Sequence, residues 1–160
     1  MSQITKFNLK SISFPKMDCI FFTNPGEKFD VLFRAEANIA SPQIVQILFG
    51  IKATSAEVLD TKQPKAYALV EAIAEFEFPD TIPNCKHLSD LPHAGNMLAI
   101  IFPFLREKIA SFFMNNNVVV LLPPLNIIQL LEDNRQNDAF QITDSRKTET
   151  PESEQVIELK

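Results

Sequence analysis

Apolar and polar residues alternate along the first half of the chain and recur at helical spacing in the second. Residues 29–39 alternate most cleanly. Phe29, Val31, Phe33, Ala35, Ala37 and Ile39 face one way, and Asp30, Arg34, Glu36 and Asn38 the other. Residues 40–43 are few enough for a hairpin link, after which Val45, Ile47, Phe49 and Ile51 share one face of a strand over 44–54. Residues 67–78 predict a fourth strand. Its even positions, Ala68, Val70, Ala72, Ala74, Phe76 and Phe78, are mostly small, which lets a helix lie close. Residues 4–14 hold a fault: Phe7 and Leu9 keep one phase, Ile12 and Phe14 the other, and a bulge near Lys10 and Ser11 reconciles them. Residues 15–28, with Pro15, Pro25 and Gly26, read as a loop.

From residue 96 the period changes. At 100° per residue, Leu98, Ile101, Phe102, Leu105, Ile109, Phe112 and Phe113 form one stripe of a long helix. Met97, Ile100 and Phe104 lie outside that stripe, so the helix carries more apolar surface than one sheet-facing side requires. Pro103 should kink it, because proline cannot donate to the carbonyl of Ala99. Pro123 and Pro124 then force an extended arm. Asn126 is placed to cap a short last helix, on which Ile127, Ile128, Leu130 and Leu131 crowd one side.

Past Asn134 the apolar period ends. Residues 135–160 read as a polar, disordered tail, separate from a folded domain over 1–134 and dispensable for its folding. Four strands followed by two helices predict an α+β fold: a four-stranded antiparallel sheet backed by a long kinked helix and a short C-terminal one. The second sheet face, with Leu32, Leu48, Leu69 and Ile73, is too apolar to be simply wet.

Composition narrows the function. The net charge of −5 argues against nucleic acid and against an anionic membrane surface. With three glycines, no Gly-rich phosphate loop is possible. No stretch is long enough to span a bilayer and the N-terminus lacks a signal-type apolar run, so a soluble cytoplasmic protein is expected. Cys19 and Cys85 are then most simply free thiols. Cys85, His87 and His93 are the nearest approach to a metal-ligand cluster, but their spacing matches no common zinc pattern. Asp80 and Asp90 with the two histidines lack any accompanying nucleophile motif. No enzyme, metal or cofactor is predicted. Glu71, Glu75 and Glu77 project from the fourth strand either as a solvated face or as a patch for docking a partner.

Three segments resemble the SecB family of bacterial protein-export chaperones. Ile101-Phe102-Pro103-Phe104-Leu105-Arg106-Glu107 is similar to that family's helix signature. Leu121-Leu122-Pro123-Pro124-Leu125-Asn126 looks like its arm before the last helix, and Lys10-Ser11-Ile12-Ser13-Phe14 resembles its first-strand motif. The resemblance implies an ATP-independent holdase, without a cofactor, assembled as a dimer of dimers. It implies that unfolded polypeptides lie in apolar grooves and, in export, pass to the motor ATPase SecA. Ser11 and Pro15 stand where export members carry acidic residues, which favours client holding over handover to SecA. Some SecB-like proteins instead serve one antitoxin.

The groove is expected along Phe76, Phe78, Phe104, Leu121, Leu122, Leu125, Ile128 and Leu131. In part this follows from a fourth strand ending in two phenylalanines, a Phe104 off the buried stripe and a proline-stiffened arm. The resemblance adds the positions of Phe104 and Leu131. Surface beyond the needs of one core should pair by two-fold symmetry. Sedimentation at micromolar concentration is therefore expected to show an oligomer, and a sole 18.1 kDa monomer would contradict it.

Overall fold

The structure is a computed structural model that describes residues 6–21, 29–55, 66–115, 122, 124–137 and 140–147. Five strands, β1 (Asn8–Phe21), β2 (Phe29–Ile39), β3 (Ile44–Ser55), β4 (Ala66–Glu77) and β5 (Gln141–Asp144), form one sheet in the order β1-β4-β3-β2-β5. The first four are antiparallel to their neighbours, and β5 runs parallel to β2. The sheet is thus mixed and five-stranded, where the residue pattern predicted four antiparallel strands. Helices α1 (Ala94–Asn115) and α2 (Ile127–Asn137) follow β4.

The alternation works as expected in β2, β3 and β4. Odd residues of β2 and β3 and even residues of β4 face α1, and the alanines at 35, 37, 53, 68, 72 and 74 are fully or almost fully buried there. α1 packs chiefly over β4 and β3, where those small side chains let it approach. Leu98, Ile101, Leu105, Ile109 and Phe113 enter the core, and Phe113 meets Phe29 edge-on at 4.7 Å. Met97, outside the predicted stripe, is also fully buried. Pro103 lies inside α1 on its exposed side. The carbonyl it leaves unbonded belongs to Ala99, which is exposed to water.

β1 corrects the loop expected over 15–28, since it continues to Phe21. Its register slips twice, between Leu9 and Ser11 and between Ser13 and Lys16. The first slip is the bulge that the phase fault required, and it brings Leu9 and Ile12 to the same inner side, opposite Phe76 and Ala74. The second absorbs Pro15, which an edge strand tolerates at a bulge because no donor is needed there.

Residues 135–137 and 140–147, expected in a disordered tail, instead end α2 and form β5 with a short turn after it. Ile142 pairs beside Ala37, and Phe140 is buried. Arg146 fastens the end. Its Nη2 meets Asp144 at 2.7 Å, and its Nη1 donates to the Ile82 carbonyl at 2.5 Å. Composition misled here because few apolar residues anchor the segment, and Ile142 of β5 pairs with a residue about a hundred positions earlier.

The tail is therefore not dispensable as one piece. Burying Phe140 alone contributes about 1.5–3 kcal/mol, and a domain of this size shifts by roughly 2–4 °C per kcal/mol. Thermal unfolding should show a clearly lowered Tm for a chain ending at Asn134 and a much smaller change for a chain ending at Lys147. Equal Tm values for the two would mean that β5 contributes nothing.

Candidate functional site

The eight predicted groove residues separate. Phe76, Phe78 and Leu122 belong to the core. Phe7 closes over the two phenylalanines, with ring centroids 5.7 Å from Phe76 and 5.6 Å from Phe78. The alternation placed them correctly on the apolar face, but not under a covering side chain. Leu121 lies outside the described residues. Leu125 and Leu131 are half-buried, while Phe104 is 40 % and Ile128 75 % exposed. Ile128 is thus turned out of the side on which Ile127, Leu130 and Leu131 pack.

The surface residues fall on two sides of α1. α2 sits against Gly95, where an added Cβ would meet Leu131 Cδ1 at 3.7 Å and Ile127 Cγ2 at 4.0 Å. Ile128 and Leu131 line a hollow of about 320 Å³ there, with Arg135 at its rim 3.5 Å from Asp90. Phe104 comes nine positions after Gly95, which at about 100° per residue is the opposite side of the helix. One turn on from Phe104, the Lys108 ammonium stands 5.3 Å from the Phe14 ring of β1. Phe104 therefore looks toward the inner side of β1, where Leu9 is 38 % and Met17 49 % exposed. Leu9 and Met17 thus lie on either side of Phe14 along the inner side of β1, and Phe104 on the flank of α1 turned to that edge. Leu9 and Met17 were not among the residues expected at the site, and the loop expected after Phe14 hid Met17.

The outer face of the sheet carries the three glutamates, each with a partner. Lys10 Nζ lies 3.1 Å from Glu77, and Gln46 Nε2 donates to Glu75 at 3.2 Å. Glu71 is buried, and Arg34 Nη1 donates to it at 3.1 Å. Arg34 and Glu71 sit on β2 and β4, each opposite Gly50 of β3. They can join across β3 because Gly50 has no side chain: a Cβ there would stand 3.0 Å from Glu71 Cγ. Hydrogen bonding and charge from Glu36, reinforced by Glu71, raise the Arg34 pKa further above its usual value. The Glu71 carboxylate is thus held beneath Arg34, with little of it open to solvent.

Cys85 and His93 are used in packing. The buried Cys85 thiol donates to the Pro83 carbonyl at 3.4 Å. Burial pushes its pKa up, Asp90 and Asp144 add to this, and Arg146 opposes it. His93 has a left-handed backbone (φ 58°) and stacks 5.3 Å from Phe7. Among the described residues no three His, Cys, Asp or Glu side chains are grouped to hold a metal, and no helix is long and apolar enough to cross a membrane.

No family model matches this chain, and no curated protein sequence matches it either. Among solved structures it is similar to the SecB-like chaperone Rv1957 of Mycobacterium tuberculosis in complex with a ChAD peptide from the Rv1956 HigA1 antitoxin. The TM-score is 0.55 and the identity 16 %, over 75 % of this chain and 91 % of that one. The fold is SecB-like.

Core and surface roles can be separated by mutation. Phe76→Ala should cost about 3–5 kcal/mol, whereas Phe104→Ala should cost less than about 1 kcal/mol, as an exposed residue. Urea unfolding measures both, and comparable losses would place Phe104 in the core.

Proposed function

We propose that this protein is an ATP-independent chaperone that holds non-native polypeptides on the apolar surface flanking α1. The observation that carries the reading is the partial exposure of Leu9 and Met17 on the inner side of β1 and of Phe104 on the neighbouring flank of α1. An extended segment with apolar side chains would bind there through buried area, so low sequence specificity should follow. Ile128 and Leu131 offer a second apolar foothold across α1. The SecB-like fold supports the same reading.

The assembly we propose is a dimer of dimers working in the cytoplasm, with two-fold contacts covering part of the same apolar surface. For export, SecA would have to dock on Glu75 and Glu77, since Glu71 is buried beneath Arg34. A second reading, a chaperone dedicated to one partner such as an antitoxin, draws support from the peptide held by the similar structure.

Aggregation assays distinguish these readings. The chain without nucleotide should suppress aggregation of several unrelated unfolded proteins. Phe104→Ala should weaken client binding about five- to tenfold, the loss of roughly 1–1.4 kcal/mol expected for an aromatic anchor. Tight binding of one peptide with no effect on the others would select the dedicated reading. Failure to bind any unfolded chain would reject both.

A further inference from the structure

The outer face of the sheet has features that client holding on the inner side does not use. Cross-strand registers arrange it in rows. Lys16, Glu71, Gly50 and Arg34 form a charged central row. On one side lie Asp18, Leu69, Lys52 and Leu32, and on the other Ser13, Ile73, Leu48 and Glu36. Beside the Arg34–Glu71 pair is a depression of about 270 Å³ lined by Leu32, Leu69, Lys52 and the aliphatic part of the central row. Leu32 is 64 % exposed, the most exposed large apolar residue of this face.

The chain itself provides a suitable occupant. Beyond Lys147 it continues with residues 148–160, in which Val156, Ile157 and Leu159 are the apolar cluster and Glu149, Glu152, Glu154 and Glu158 the acids. Just before this segment the chain touches the outer face. Ser145 Oγ donates to Asn38 Oδ1 at 2.7 Å, and Asn38 lies in a row with Gln46 and Glu75 on the outer face. From Asn38 to Leu32 is six residues of strand, about 20 Å. Residues 148–155, extended, reach about 26 Å. Val156 can thus arrive at Leu32 without displacing β5, with Glu154 or Glu158 beside the Lys52 ammonium. A tether this short holds its end at roughly millimolar effective concentration, enough for a contact of three side chains.

We infer that Val156, Ile157 and Leu159 dock in cis on the outer face, over Leu32 and Leu69. Methyl NMR of the purified full chain tests this against two variants, a chain ending at Lys147 and the full-length Ile157→Glu. The Leu32 and Leu69 methyl resonances should move in both variants, in the same direction and at every protein concentration. Adding a peptide of residues 148–160 to the shortened chain should return them toward their original positions. Resonances unmoved in Ile157→Glu would overturn the inference and leave the face to another protein. A shift that vanishes on dilution would overturn it too, by making a second copy the occupant.

Discussion

One helix has to cover a sheet wider than itself. Five strands about 4.8 Å apart span about 19 Å, whereas a helix with its side chains is about 10–12 Å across. α1 resolves this by sitting over the middle of the sheet, where the alanines of β4 and β3 draw it close. The two flanks differ as a result. On the β5 side α2 and Phe140 close the layer, and Phe140 shares a crevice with Leu88 and Leu131. On the β1 side a turn of α1 and an edge strand face each other across partly exposed apolar side chains. The surface proposed for clients follows from this mismatch, and would persist under most conservative changes in the core.

The outer face obeys a different constraint. Its centre is an ion pair that reaches across an entire strand, which only glycine at position 50 allows. Burying Glu71 without Arg34 would leave an uncompensated charge, an arrangement that costs far more than an exposed pair contributes. Gly50, Arg34 and Glu71 therefore act as a unit. They divide the outer face, with the apolar depression at Leu32 and Leu69 on one side and a more polar one at Asn38, Gln46 and Leu48 on the other, and make it structurally unlike the uncovered flank beside α1.

Much of this was legible in the sequence because the signals were local. Period two in residues 29–39 and 44–54 gave the central strands, and the phase fault near Lys10 gave the bulge. Asn126 was identified as a cap, and its Oδ1 accepts from Gln129 N at 3.1 Å. What was missed depended on distant partners. β5 pairs residues about a hundred positions apart through four registers, and no window of polar sequence reveals that. Pro15 reads as a breaker unless the strand is known to be an edge. Phe76 and Phe78 were assigned to a groove because nothing in the fourth strand announces that Phe7 will cover them. The helix wheel alone separated Phe104 from the buried stripe. Placing it opposite α2 required knowing that α2 rests on Gly95.

The central claim is that the flank between α1 and β1 is where non-native chains are held. Site-specific photo-crosslinking tests it most directly, with a benzophenone amino acid introduced in place of Phe104, Met17 or Leu32 in separate full-length chains. Each is mixed with an unfolded client in the absence of nucleotide and irradiated. The account predicts client adducts from positions 104 and 17 and few from position 32. Adducts from position 32 with none from 104 or 17 would contradict it.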